Sequence, residues 1–150
     1  MALAQAHVVL VGCGGIGSPA LQYLAAAGIG RLTLIDDDTV DASNLQRQTI
    51  FTEADIGAGK AEAAARWVTR FDPELAVAAH RARITRDNAA SLIAGASVVL
   101  DGCDNFATRL AVSDAAVAAQ IPLTTAAVGR FQGQVANFVQ KQGATVCRLE

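Results

Sequence analysis

The residues Gly12-Cys13-Gly14-Gly15-Ile16-Gly17 restrict the fold of this chain more than any others, because they join a short apolar run, His7 to Val11, to a helical pattern over Ile16 to Ala27. Glycines at such a junction permit a tight strand-to-helix turn. They also let an anion approach the backbone N–H groups at the helix N-terminus, where the helix dipole favours negative charge. Pro19 is tolerable in the first turn of that helix and Gly28 stands just past its end. A second β-rich run, Arg31 to Ile35, then ends at Asp36. An acid about 20 residues beyond the glycines is placed to accept hydrogen bonds from a ribose hydroxyl. The unit is therefore βαβ with a nucleotide as its expected ligand, and Gly12, Gly14, Gly15, Gly17 and Asp36 are the expected contacts. The pattern selects a ligand class only: NAD, FAD, S-adenosylmethionine and ATP sites share it, and close helix–strand packing without a ligand also satisfies it. Asp37 and Asp38 read as a solvated strand end, with metal recruitment as the alternative.

The rest of the chain continues the alternation of strand and helix without repeats or low-complexity linkers. A helix is expected over Lys60 to Phe71, where Ala61, Ala64, Ala65, Val68 and Phe71 share a face that Trp67 joins, and Asp72-Pro73 ends it. Further strands are expected at Leu75 to Ala79, Ser97 to Leu100 and Pro122 to Ala126. Helices are expected at Asn88 to Ala94, capped by Asp87 or Thr85, and at Phe106 to Gln120. Gly133 to Gln140 alternates, and Thr145 to Leu149 follows as its expected hairpin partner. The expected fold class is α/β: a Rossmann-like, doubly wound, mostly parallel sheet with helices on both faces, ending in an antiparallel hairpin cut short at Glu150. Alanine, about a fifth of the residues, suits helices packed closely on a sheet.

Length and charge exclude several classes. At 150 residues and 52% hydrophobic, the chain is one domain's worth of sequence, able to bury a core without disulfides. Twelve Lys+Arg against fourteen Asp+Glu, net −2, give no footprint for nucleic acid. No apolar run is long enough for a membrane span, and the N-terminus lacks the basic region of a secretory leader. Three cysteines, Cys13, Cys103 and Cys147, suit a reducing cytoplasm better than a disulfide framework.

Polar residues at the strand ends narrow the ligand. Thr39 to Gln48 contains Arg47, and Lys60 follows Gly57-Ala58-Gly59 at the start of a helix that would otherwise prefer acids in its first turn. Cations in those places suit charge that shifts onto a leaving pyrophosphate; the alternative for Lys60 is an ordinary surface lysine. Asp101-Gly102-Cys103-Asp104-Asn105 brings carboxylates to the same sheet edge. Asp104 is suited to holding Mg²⁺ against phosphates, and equally to capping the helix at Phe106.

GCGGIGSP, the aspartate of LIDDD, SNLQRQ, the lysine of GAGKAEAA, DGCDNFATR and VGRFQGQ, in this order, resemble the ThiF/MoeB/HesA adenylyltransferases, bacterial relatives of ubiquitin-activating enzymes. The resemblance runs from about Leu3 to Val139. It implies an ATP site made by Gly15 in the loop, Asp36 on the ribose, Ser43, Asn44, Leu45, Gln46 and Arg47 along the nucleotide, Lys60 on phosphate, and Asp104 with Asn105 near Mg²⁺. Arg47, Lys60 and Asp104 would be the catalytic groups, with Arg109 bracing Asp104. The implied reaction is ATP- and Mg²⁺-dependent adenylation of the C-terminal carboxylate of a small ubiquitin-fold sulfur-carrier protein ending in Gly-Gly, as in molybdenum cofactor or thiamine biosynthesis. A homodimer is implied as well, and an alanine-rich core with exposed apolar helix faces would suit it.

The chain departs from that family at its ends. Relatives carry an N-terminal helical segment with an arginine, and two Cys-x-x-Cys pairs for Zn²⁺; here Cys147-Arg148-Leu149-Glu150 supplies one cysteine, which cannot make a tetrahedral site. Zinc is expected only in a longer form, and residues 1–150 are expected to be a single ATP-binding domain incomplete at both termini. Two rivals remain: an NAD(P)-dependent oxidoreductase, and a non-catalytic nucleotide-binding module. The oxidoreductase needs a catalytic acid or base, yet Tyr23 has Ala27 where a Tyr-x-x-x-Lys pair needs lysine, and Arg47 and Lys60 would have no task. Cys13, in the nucleotide loop, and Cys103, a small buried filler beside Asp104, read as poor nucleophiles.

Overall fold

The computed structural model describes residues 3–139. Six strands form one sheet: β1 (His7–Val11), β2 (Arg31–Ile35), β3 (Ala76–His80), β4 (Val98–Asp101), β5 (Leu123–Val128) and β6 (Gly133–Phe138). Their order is β3-β2-β1-β4-β5-β6. The first five run parallel, and β6 pairs antiparallel with β5. Four helices accompany them: α1 (Gly17–Ala26), α2 (Lys60–Phe71), α3 (Ala89–Leu92) and α4 (Phe106–Ala118).

Strand β1 shows why the apolar runs lack alternation. Successive side chains point to opposite faces, and both faces are covered. Val8 and Leu10 join Leu32, Leu34 and the α1 and α2 residues Leu21, Ala25, Ala63, Ala64 and Val68 in one core. Val9 and Val11 join Ile35, Val99 and the α3 and α4 residues Ala89, Ala111, Val112 and Ala116 in another. The alanines lie where helices meet the sheet, so the high alanine content is used at these interfaces. The strand order reverses between β1 and β4, which leaves a crevice at their carboxyl ends, the place where open α/β sheets bind ligands.

Boundaries differ from the sequence pattern by small amounts. Strands β3, β4 and β5 each begin one residue late. Helix α3 is a single turn preceded by Asn88, so neither Asp87 nor Thr85 caps it. Instead Asn88 Oδ1 accepts from the Thr85 N–H at 2.8 Å and its Nδ2 donates to the Arg83 carbonyl at 3.0 Å, closing the loop before the helix. Helix α4 ends before Gln120, which adopts φ 55°. Phe71 is 53% exposed and stacks on Trp67 at 5.2 Å, so the end of α2 lies at the surface. The antiparallel partner of β6 is β5, across a turn closed by the Gly129 N–H on the Gln132 carbonyl at 2.7 Å. The expected return strand at Thr145 to Leu149, and Cys147, lie outside the described residues.

Candidate functional site

The carboxyl ends of β1, β2 and β4 surround a cleft of about 500 Å³ lined by Gly12, Gly14, Gly15, Asp36, Lys60 and Asp104 among others. Two of the four glycines are required by the chain itself. Gly12 has φ +85°, and a Cβ there would stand 3.0 Å from the Cys103 nitrogen. A Cβ on Gly17 would stand 1.8 Å from the Gly12 carbonyl oxygen, so α1 could not approach β1 with any side chain there. Gly14 and Gly15 differ: a Cβ on either meets nothing nearer than 3.6 Å, and then only the side chains of Gln48 and Arg47. Packing accounts for Gly12 and Gly17 and leaves Gly14 and Gly15 to be explained by what enters the cleft.

Asp36 ties this loop to the end of β2. Its Oδ2 accepts from the Cys13 N–H at 2.7 Å and its Oδ1 from the Asp38 N–H at 2.9 Å. Burial raises its pKa above the usual carboxylate value, and the two N–H donors work in the opposite direction. Asp37 and Asp38 are exposed, as a strand end would be, yet each holds a cation. Asp37 pairs with Arg83 Nε at 2.8 Å. Asp38 Oδ2 accepts from Lys60 Nζ at 2.6 Å, and that hydrogen bond lowers the Asp38 pKa.

Lys60 is no surface lysine: it is 6% exposed, and its N–H donates to the Asp38 carbonyl at 2.9 Å. A bridge between Thr39 and Gly59 holds the start of α2 beside the strand end, which places the ammonium on the cleft wall. Arg47 is exposed, runs over Gly15 and donates from Nη1 to the Ser43 carbonyl at 3.2 Å.

The segment from Ser43 to Arg47 divides. Asn44 and Arg47 line the cleft; Ser43, Leu45 and Gln46 do not. Ser43 Oγ donates to Asp41 Oδ1 at 2.6 Å, which shapes the 3₁₀ turn Ala42–Asn44. Leu45 packs on the first core, and Gln46 faces solvent with Nε2 3.5 Å from the Ser43 carbonyl. Gln48 and Arg83, which sequence reasoning passed over, also line the cleft. For Gln48 the available signal was its place one residue past Arg47. For Arg83 it was its place just past a strand end.

Asp104 lines the cleft, is exposed, and makes no hydrogen bond or ion pair among the described residues. It does not cap α4. Asn105 does, with Oδ1 accepting from the Thr108 N–H at 3.0 Å. A lone carboxylate beside the glycine loop fits an Mg²⁺ ion shared with phosphate oxygens; no group of three potential ligands that could hold a metal without phosphates occurs among the described residues.

Arg109 braces the turn before Asp104 and makes no hydrogen bond or ion pair with Asp104 itself. Its Nε and Nη2 donate to the Cys103 carbonyl at 3.1 and 2.7 Å, and Nη2 also donates to the Ala126 carbonyl. Its Nε lies 3.8 Å from Oδ2 of the fully buried Asp101. Asp101 in turn accepts from the Cys103 N–H at 3.0 Å and from Thr125 Oγ1 at 2.8 Å. Both backbone groups of Cys103 are thus held by one buried pair. Burial, with Asp101 adjacent, pushes the Cys103 thiol up to about 12, and burial likewise raises Cys13; neither is a thiolate nucleophile at neutral pH. Tyr23 is 80% exposed and takes no part in the cleft. No helix among the described residues is long and apolar enough to cross a membrane.

The ThiF family profile matches residues 1–149. The SAMP-activating enzyme E1 of Haloferax volcanii is 44% identical over 137 residues, covering 91% of this chain and 51% of that protein. The molybdopterin-synthase adenylyltransferase of Salmonella typhimurium is 44% identical over 141 residues, covering 94% of this chain and 57% of that protein. Among solved structures, the E. coli tRNA N6-threonylcarbamoyladenosine dehydratase TcdA in complex with ATP superposes with a TM-score of 0.79 at 37% identity, covering 82% of this chain and 51% of that one. The chain spans about half the length of these relatives.

Proposed function

Because this chain belongs to the ThiF family, we propose that its cleft binds ATP and that the protein adenylates the C-terminal Gly-Gly carboxylate of a small ubiquitin-fold sulfur carrier. The observation that carries this reading is the convergence of buried Lys60, Arg47 and an unpartnered Asp104 on the bare Gly14-Gly15 backbone. Two curated relatives support the substrate class, one named for SAMP activation and the other for molybdopterin synthase.

In the proposed reaction a carboxylate oxygen of the carrier attacks the α-phosphorus of ATP. A carbon–oxygen–phosphorus anhydride forms, the bond from the α-phosphorus to the bridging oxygen breaks, and pyrophosphate leaves with that electron pair. No proton transfer to the enzyme is needed, so the work is alignment and charge stabilisation. The N–H groups of the glycine loop and the N-terminus of α1 face the phosphates. Asp36 accepts from the ribose hydroxyls with the lone pairs its two N–H donors leave over. Asn44 and Asn105 border the nucleotide, and Arg47 and Lys60 meet the charge that accumulates on the leaving pyrophosphate. Ser43, Leu45 and Gln46 act by shaping the turn that carries Arg47. Asp104 would hold Mg²⁺, which when bound neutralises phosphate charge.

A homodimer belongs to the same reading. Val128, Phe131, Val135 and Val139 are exposed along the β5–β6 edge and offer apolar surface for a second copy; a monomer by light scattering at micromolar concentration would count against it. The main test compares binding of ATP–Mg²⁺ with binding of NADH, followed by carrier-dependent exchange of pyrophosphate into ATP. ATP binding with exchange is expected. NADH binding without ATP binding would overturn the proposal.

A further inference from the structure

Beside the cleft, a second cavity of about 350 Å³ lies between the loop that carries Arg83 and Arg86 and the first half of α4. Its lining is largely apolar: Ile84 and Ala111 are buried, and Ala107 and Leu110 line the helix side. Bonds within the chain fix both walls. Asn88 closes the loop, with Oδ1 accepting from the Thr85 N–H and Nδ2 donating to the Arg83 carbonyl. Thr108 Oγ1 donates to the Ile84 carbonyl at 3.3 Å, which ties α4 to that loop. A pre-formed, mostly apolar cavity with a few polar groups at its rim is the usual form of a small-molecule site.

The charge of this cavity is one-sided. Arg83 and Arg86 line it and no acid among the described residues does, although acids outnumber bases in the chain. Donors are also in surplus. Arg83 uses only Nε, on Asp37 at 2.8 Å, and its two Nη groups have no partner among the described residues. Arg86 forms no hydrogen bond or ion pair with any of them. Guanidinium groups above an apolar floor match a carboxylate carried on a hydrocarbon body. The planar fork meets both carboxylate oxygens, and the floor removes the hydrocarbon from water.

We propose that this second cavity binds a small amphiphilic anion, a carboxylate on a short hydrocarbon chain, beside the nucleotide and separately from it. Arg86 holds the carboxylate, Arg83 adds its free Nη groups without leaving Asp37, and Ile84, Leu110 and Ala111 cover the hydrocarbon. Arg86, Leu110 and Ala111 line this cavity and not the cleft, whereas Arg83 and Ile84 line both and form the partition. The adenylating reading is not needed for this inference.

The experiment titrates hexanoate into the protein, with and without saturating ATP–Mg²⁺, and follows the backbone amides of Thr85, Arg86, Ala107 and Leu110 by NMR. Saturable shifts are expected there, with a dissociation constant of about a millimolar or tighter, and they should persist when ATP–Mg²⁺ is present. Hexanol has the same body without the charge and should bind about tenfold more weakly or worse. Arg86→Ala should lose about tenfold in hexanoate affinity. Ala107→Leu, which fills the cavity from the helix side, should abolish the saturable shifts, and thermal melts check that both variants are folded. Absence of saturable shifts in the wild type overturns the proposal, as does equal binding of hexanoate and hexanol or wild-type affinity in Arg86→Ala. Displacement of hexanoate by ATP–Mg²⁺ also overturns it, because the cavity would then belong to the nucleotide site. Tighter binding of the capped peptide acetyl-Leu-Glu-Leu-amide than of hexanoate would make the cavity a groove for protein and overturn it likewise. A wild type that binds no ATP sinks the adenylating reading and leaves the hexanoate result to decide this one.

Discussion

Removing Arg109 should unravel the turn that presents Asp104, and its cost follows from the contacts. The side chain is 12% exposed and its partner Asp101 is fully buried. Arg109→Ala deletes an ion pair and strips side-chain donors from two carbonyls, those of Cys103 and Ala126. Breaking a buried pair by removing one partner costs roughly 3–5 kcal/mol. The lower end applies here, because the charges lie 3.8 Å apart and Asp101 keeps the Cys103 N–H and the Thr125 hydroxyl as donors. A loss of about 3 kcal/mol lowers the unfolding midpoint of a chain this size by roughly 6–12 °C. Circular dichroism melts and urea titrations read it. Arg109→Lys should lose less, since it keeps the charge and loses the fork that spans two carbonyls. In a cycle with Asp101→Asn, the double variant should be less destabilised than the sum of the singles. Affinity for ATP–Mg²⁺ should fall as well, although Arg109 does not line the cleft. A cost below about 1 kcal/mol for Arg109→Ala would refute the clamp.

Three other outcomes follow from the same geometry. Asp38 has a folded pKa below its ordinary value of 3.8, so its pairing with Lys60 stabilises the fold above that pH and is lost as pH falls through the lower folded value; Asp38→Asn should cost about 1 kcal/mol at neutral pH, and a gap that persists in strong acid would contradict the assignment. Cys13, fully buried and with its thiol pKa raised, should be alkylated only on unfolding, as read by peptide mapping; labelling of the native protein at the rate of an unfolded control would exclude that burial. Chelating Mg²⁺ should weaken ATP binding by about tenfold or more and AMP binding much less, whereas equal effects on both would speak against a metal shared with the outer phosphates.

Strands β1, β2 and β4 were legible because each carries a short apolar run ended by glycine or acids, and burial on both faces writes such runs plainly. The glycine loop and Asp36 were legible because backbone geometry demands particular residues at particular spacing. The partnerships were not. Asp38 and Lys60 are separated by two 3₁₀ turns and the loops around them, and backbone pairing about the bridge between Thr39 and Gly59 brings them together. The division of Ser43 to Arg47 depends on which way a short turn points its side chains, which spacing does not encode. Helix α4 begins at Phe106 as the pattern predicts, so the residue directly before it, Asn105, is the cap, and the Asp104 carboxylate is left available. Asp101 looked like one acid among several, because its burial depends on β5, far along the chain.

Under the proposed ATP reading, the charges of the cleft favour a divalent ion accompanying the nucleotide. Asp36, Asp37, Asp38 and Asp104 line it against Arg47, Lys60 and Arg83. Lys60 and Arg83 already have carboxylate partners, and Arg47 is held only by a carbonyl. A triphosphate entering this cleft would meet one uncommitted cation and the glycine-loop N–H groups. To meet it, Lys60 would have to share its ammonium between the phosphates and Asp38, or leave Asp38. On the residues alone the balance is unfavourable, since unneutralised carboxylates remain near the phosphates. A divalent ion held by Asp104 would supply positive charge on that side of the cleft. Under the proposed reaction, the Asp38 carboxylate, which pairs with Lys60 at 2.6 Å in this structure, would take the ammonium back as pyrophosphate leaves and so offset part of the cost of release.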